Sequence, residues 1–179
     1  MLTQTYRITP KYIHFPLHPD TPPGGRTLEA LFGAGPGVVD AKNAQMKALM
    51  EAEGLLYGTR THTYNSRLAQ ELGSWADTQP GGPAIHNALF KAYFVDNRNI
   101  HERHVLLDIA AAVGLSRQDA EAILEQRLFK NAVDAAWDKS SHYGVTGVPT
   151  FVAGRRGIVG AQPYEVIEKL LTEAGVPKR

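Results

Sequence analysis

Residues 144–151, with the sequence GVTGVPTF, restrict the fold more than any other part of the chain. Proline fixes its own φ angle and has no N–H for a strand ladder, so Pro149 belongs at the first residue or at the edge of a strand. Tight turns of this kind are also where cis X-Pro bonds occur. From this point the residue pattern predicts four elements: a strand over 150–153, a hairpin loop over 154–157, a return strand at 158–159 and a helix over 162–174.

The stretch from Val38 to about residue 143 has a different pattern. Its apolar residues recur every three or four positions, which predicts an almost continuous series of helices. Asn65 or Ser66 is suited to cap one helix, and Ser116 with Asp119 resembles a capping box at the start of another. Three breaks interrupt the series: Gly54, the sequence QPGGP at 79–83, and Gly114.

The first part of the chain is expected to contribute little regular structure. Lys11–Phe15 is a β-prone run that Pro10 and Pro16 close on both sides, so it predicts one short strand. The sequence PLHPDTPPGGR that follows is rich in turn residues and predicts an extended loop.

Composition excludes several classes of function. The chain has no cysteine, so it supplies no disulfide, no thiolate zinc site and no thiol nucleophile. The formal net charge is +1 and the basic residues are scattered, which argues against nucleic acid as a partner. No apolar run is long enough to span a bilayer. We therefore expect a soluble, cytoplasmic protein that has no cofactor and no membrane partner.

Five segments together resemble the DsbA family of thioredoxin-fold proteins, most closely its FrnE-like branch, which is related to 2-hydroxychromene-2-carboxylate isomerases and kappa-class glutathione transferases. The resemblance covers about residues 10–172 in the order of the family. The segments are HFPLHPDTPPGG at 14–25, ALFKAYFVDNRNI at 88–100, VLLDIAAAVGL at 105–115, GVTGVPTFV from 144 to 152, and GAQPYEVIEKLL at 160–171.

This resemblance implies a thioredoxin-like α/β fold that is interrupted by a large all-helical insertion. Residues 1–37 and 144–179 would form the thioredoxin-like core, and residues 38–143 would form the insertion. Val148 and Pro149 would form a cis-proline turn that faces the active site, and the exposed backbone there would pair with an extended peptide or thiol ligand.

Gly147, Val148, Pro149 and His14 are accordingly the candidate substrate-binding residues. His14 and His18 flank the proline-rich loop, and either could act as a general base because histidine titrates near neutrality. The alternative is an ordinary, half-exposed strand histidine.

The sequence departs from the family at its redox motif. The family has a first strand, a Cys-x-x-Cys motif and a first helix, and this chain has no counterpart of these three, as an N-terminally truncated form would lack them. We therefore expect no catalytic residue and no redox activity from the chain alone. A central strand would also be absent, which favours a rearranged sheet, filled by the β-prone residues 2–8, or a homodimer that completes the sheet.

Two other functions stay open from the sequence. A non-catalytic module could bind a peptide or glutathione at the same turn. A glutathione-dependent isomerase would require a serine-bearing first helix that is missing here.

A metal site is a further alternative, since His101 and His104 lie three residues apart and would share one helix face. No additional ligand pattern accompanies them, so we expect a solvated helix start and no metal.

Overall fold

The computed structural model describes residues 2–179. Within these residues the helices are α1 (Leu2–Thr5), α2 (Leu28–Phe32), α3 (Pro36–Ala52), α4 (Arg67–Ala76), α5 (Ala84–Phe94), α6 (Arg103–Ala112), α7 (Arg117–Glu125), α8 (Lys130–His142) and α9 (Tyr164–Glu173). The strands are β1 (Arg26–Thr27), β2 (His62–Thr63), β3 (Thr150–Ala153) and β4 (Arg156–Val159). They form two separate antiparallel pairs, β1 with β2 and β3 with β4. No helix in this part of the chain combines the length and the apolar character that crossing a membrane requires.

The chain divides into two compact units. The hairpin unit consists of the described part of residues 1–17 together with 135–179, and the helical unit consists of residues 18–134. Both boundaries differ from the core and insertion limits that the sequence suggested. Residues 18–37 belong to the helical unit because β1 pairs there with β2, in the register Arg26 to Thr63.

The helical unit is built around the apolar faces of α4, α5, α6 and α7. Leu72, Ile85, Leu106 and Leu124 are fully buried in one cluster. These four residues belong to the apolar positions that recur every three to four residues and that predict helices in this stretch. The Ser116 side chain caps α7 as expected, since its Oγ accepts a hydrogen bond from the Asp119 N–H at 3.2 Å.

Of the two residues that could cap α4, Asn65 makes the capping hydrogen bond and Ser66 does not. Asn65 Oδ1 accepts from the Arg67 N–H at 2.9 Å, whereas the Ser66 side chain makes no capping bond. The Asn65 amide also donates to the carbonyls of Pro19 and Thr21, at 3.0 and 2.9 Å. One side chain therefore starts a helix and anchors the proline-rich loop to it.

The hairpin unit consists mainly of β3, β4 and α9. Thr150 pairs with Val159 and Ala153 pairs with Arg156, which confirms the expected hairpin after Pro149. Helix α9 packs against both strands and buries Leu170 and Leu171.

Two expectations about the start of the chain are wrong. Lys11–Phe15 has no regular secondary structure, because no neighbouring strand pairs with it among the described residues. The β-prone residues 2–8 do not fill a gap in a sheet. Instead Leu2–Thr5 is helical, and Tyr6 is buried and makes a single antiparallel bridge to Lys178.

Candidate functional site

The hairpin unit contains a cavity of about 310 Å³ between Lys11–Phe15, the last turns of α8 and one face of β3. We call it the hairpin cavity. Alternate residues of two extended segments line it, which is the pattern that a period of two produces. The lining residues are Lys11, Ile13 and Phe15, then Lys139, Ser140, Tyr143 and Val145, and finally Val148, Thr150, Val152 and Gly154.

One edge of β3 borders this cavity. The Pro149 carbonyl accepts a hydrogen bond from the Gly160 N–H at 2.7 Å, so its backbone faces β4. Along an antiparallel strand the N–H and C=O of successive residues point alternately to the two edges. The backbone groups of Thr150 and Val152 therefore face the other edge, which no strand covers within residues 2–179.

The turn before β3 holds the candidate residues in place. The peptide bond between Val148 and Pro149 is cis. Thr150 Oγ1 donates to the Gly147 carbonyl at 2.6 Å, which closes the turn. The Val148 side chain is 50% exposed, and its backbone N–H and C=O make no hydrogen bond in the part of the chain that the structure describes. Val148 therefore combines two unpaired backbone groups with an exposed apolar side chain.

The four sequence candidates do not all reach the cavity. Of these, only Val148 lines it, while Gly147 and Pro149 shape the turn beside it. His14 is half-buried and lies on the extended segment, but it alternates with the lining residues Ile13 and Phe15. A general-base role for His14 in this cavity gains no support from its position.

Sequence reasoning did not identify most of the residues that line the hairpin cavity. Lys11, Ile13 and Phe15 lie at positions i, i+2 and i+4, and this alternation was the available signal. Lys139 comes from α8 and Tyr143 directly follows that helix, and no local pattern connects them to β3. Among residues 2–179 the charged members of the lining are the two lysines, so we call this border of the cavity the cationic rim.

The histidine pair His101 and His104 has no further ligand beside it, since residues 2–179 contain no group of three or more His, Asp or Glu side chains placed to hold a metal ion. His104 Nδ1 lies 3.3 Å from a Glu102 carboxylate oxygen, as on a solvated helix start.

The strongest buried electrostatic feature lies in the helical unit. Glu71 on α4 is fully buried, and its carboxylate accepts hydrogen bonds from Arg67 at 2.7 Å and from Arg127 at 2.7 and 2.6 Å. Burial alone would raise the pKa of Glu71, but the hydrogen bonds and charges of Arg127 and Arg67 outweigh it and hold that pKa below its ordinary value. Arg67 also binds Asp134 at 2.6 Å.

Comparison with known proteins gives consistent matches. Residues 1–172 match the family model described as DSBA-like thioredoxin domain. The structure is similar to the crystal structure of a probable DsbA oxidoreductase from Streptomyces coelicolor, with a TM-score of 0.81 and 28% sequence identity, over 89% of this chain and 72% of that one.

Among curated proteins, the chain is 29% identical to the uncharacterized protein YwbO of Bacillus subtilis (strain 168) over 116 residues. The match covers 63% of this chain and 56% of YwbO. The chain thus spans little more than half the length of that curated relative.

Proposed function

Because the chain belongs to the DSBA-like thioredoxin domain family, we propose that it is the substrate-binding part of a thiol-disulfide oxidoreductase and binds an extended peptide in the hairpin cavity. Its fold is thioredoxin-like with a large helical part, as the sequence resemblance implied. The peptide would add a strand to the open edge of β3 and place alternate side chains in the cavity.

One observation carries this proposal: Val148, which has unpaired backbone groups, lines the cavity together with Thr150 and Val152 of the open-edged strand β3. Strand addition requires unpaired N–H and C=O groups, which Val148 offers. It also requires room for the side chains of the incoming strand, and the cavity supplies that room beside Thr150 and Val152. The cationic rim formed by Lys11 and Lys139 favours a peptide that carries acidic side chains.

The chain would bind its substrate without exchanging thiols, because it has no cysteine. This combines two of the three functions that the sequence left open, the oxidoreductase family and the non-catalytic binding module, and leaves out the glutathione-dependent isomerase. Membership of the FrnE-like branch and a place in the cytoplasm are parts of the same proposal. A homodimer that completes the sheet is the alternative occupant, because a second copy would cover the edge of β3 to which the peptide adds. The absence of cysteine supports the cytoplasmic location, since the fold requires no oxidising compartment.

Binding is tested with Val152→Arg. Val152 lines the cavity and is 45% exposed, so arginine adds a charge and bulk there without removing a core side chain. We expect the affinity for a short uncharged peptide of alternating valine and serine to fall about tenfold or more, because burying the arginine charge without a partner costs more than one hydrogen bond. Isothermal titration calorimetry measures the change.

Two matched controls accompany this test. Val159→Arg changes the same hairpin at a site that is 52% exposed and does not line the cavity, so the affinity should stay as in the wild type. The same peptide with alternate amide nitrogens methylated cannot pair with a strand edge and should bind at least tenfold more weakly. Equal binding of the methylated peptide would rule out strand addition.

Tighter binding of glutathione than of the peptide would favour the glutathione-binding module. Light scattering at each titration point reports whether a second copy of the chain fills the site.

A further inference from the structure

The helical unit contains a second cavity, of about 300 Å³, between α2, α3 and the segment that precedes β2. This volume is at the lower end of the roughly 300–1,000 Å³ that small-molecule sites occupy. We call it the α3 cavity. Its lining residues are Leu28, Phe32, Lys42, Asn43, Gln45, Met46, Leu49, Tyr57 and Arg60.

One side of the α3 cavity is apolar and open to solvent. Phe32 is 47% exposed, Met46 is 44% exposed and Leu49 is 58% exposed, which is unusual for three large side chains that surround one depression. Helix α3 is 17 residues long but buries only Val39 and Asn43. Its apolar side chains therefore have room for a ligand that the protein itself does not fill.

The other side is cationic. Arg60 lies against the faces of Tyr93 and Phe94, with its guanidinium carbon 4.4 and 5.1 Å from the two ring centroids. One of its terminal nitrogens donates to the Tyr93 hydroxyl at 2.5 Å and to the His62 carbonyl at 3.2 Å. Its Nε is buried and has no hydrogen-bond partner among the described residues.

Arg60 lacks a counter-charge as well. Neither Arg60 nor Lys42 makes an ion pair in the part of the chain that the structure describes, and the lining contains no carboxylate. Lys42 instead lies over the Phe32 ring, with its Nζ 5.1 Å from the centroid. A partly buried guanidinium with an unused N–H is costly unless an anion pairs with it.

Two further polar side chains of this cavity, Asn43 and Tyr57, are already engaged. Asn43 Nδ2 donates to the Arg60 carbonyl at 2.8 Å, and the Tyr57 hydroxyl donates to Asn43 Oδ1 at 3.3 Å. These bonds fix the backbone of Arg60, and the charged groups that a ligand meets in the lining are Arg60 and Lys42, beside the neutral amide of Gln45.

We propose that the α3 cavity binds a small amphipathic carboxylate, a molecule with one carboxylate and an apolar chain or ring of about ten non-hydrogen atoms. The carboxylate pairs with the Arg60 guanidinium and with the Lys42 ammonium. The apolar part lies against Phe32, Met46 and Leu49. This inference is independent of the proposed peptide binding, which concerns other residues in the hairpin unit.

The test uses octanoate as the probe and its neutral isostere octanamide as the comparison. Isothermal titration calorimetry should show octanoate binding about tenfold or more tightly than octanamide, because a hydrogen bond to a charged partner is worth that much. In a ¹⁵N–¹H spectrum the Arg60 Nε–H resonance should shift on addition of octanoate. Equal affinity for both compounds, or an unmoved Arg60 resonance, would overturn the proposal.

Surface variants locate the site without risk to the fold. Leu49→Asp places a carboxylate at the cavity wall and should weaken octanoate binding about tenfold, while Ala48→Asp adds the same charge next to it outside the lining and should leave binding unchanged. Lys42→Met should weaken binding a few-fold, whereas Lys47→Met, which removes a lysine paired with Glu51 on the same helix, should have no effect.

Three further results would each reject the α3 cavity as a carboxylate site. These are similar losses in Ala48→Asp or Lys47→Met, inorganic phosphate that shifts Arg60 as octanoate does, and self-association of the protein that Leu49→Asp abolishes. Octanoate binding should also survive Val152→Arg, since binding that is lost in that variant belongs to the hairpin cavity.

Discussion

Replacing Glu71 with glutamine is expected to lower the free energy of unfolding by about 3–5 kcal/mol. The Glu71 side chain is fully buried, and it is the shared acceptor for Arg67 and Arg127. The variant leaves these guanidinium groups with an amide that cannot balance their charge. Urea denaturation followed by circular dichroism measures the loss, and for a chain of this size each 1 kcal/mol corresponds to a decrease of about 2–4 °C in the melting temperature.

Asp108→Asn is the matched control for this variant. Asp108 also binds two arginines, Arg98 at 3.3 Å and Arg117 at 2.7 Å, but on the exposed surface. Solvent and salt screen that pair of contacts, so its removal should change stability little. If the two variants lost equal stability, burial would not be the reason for the effect at Glu71.

The pH dependence provides a second measurement of the same interaction. The pKa of Glu71 lies below its ordinary value of 4.5, so the unfolded chain takes up the proton more readily than the folded one. The stabilisation is therefore present above about pH 4.5 and is lost as the pH falls through the folded pKa. The difference in stability between the wild type and Glu71→Gln should accordingly be largest near neutrality and should shrink in acid.

Gly82→Ala is expected to cost about 1–3 kcal/mol or more. A Cβ at Gly82 would stand 1.7 Å from the Ala76 carbonyl oxygen and 2.5 Å from its carbon, at the end of α4. Both are backbone atoms, so no side chain can move aside, and the connection from α4 to α5 would have to open. The free energy of unfolding in urea measures this cost.

Gly37→Ala tests the opposite case. Gly37 lies in the first turn of α3, and an added Cβ meets nothing within 4 Å. Alanine reduces the freedom of the unfolded chain without a clash, so stability should rise by about 0.4–1 kcal/mol. A Gly82→Ala protein as stable as Gly37→Ala would show that the α4–α5 connection is not as close as the structure describes.

Local sequence chemistry predicted much of the secondary structure. The change of residue pattern after Gly144 predicted the β3–β4 hairpin and the helix that follows it. This prediction succeeded because alternation and turn residues act over only a few positions. The capping pattern at Ser116 was also confirmed. The break at 79–83 was predicted too, although its role in bringing α4 and α5 close together was not.

The extended start of the chain shows the limit of such reasoning. Lys11–Phe15 has strand-forming residues but forms no strand, since a strand requires a partner edge and propensity does not supply one. Tyr6 is likewise β-prone, yet it is buried and its hydroxyl donates to Glu168 at 2.9 Å, a residue 162 positions away.

For the candidate site, the sequence by itself predicted the turn at Pro149, because proline chemistry is a property of neighbouring residues, while Val148 entered as a candidate through the resemblance to the family. The tertiary structure decided that Lys11 and Tyr143 share a cavity with Val152. It also decided that Glu71 is enclosed by Arg127 and that Arg60 faces a cavity without a carboxylate. The reason is physical: periodicity shows which face of an element is apolar, whereas only packing shows which faces meet and which charges are left unpaired.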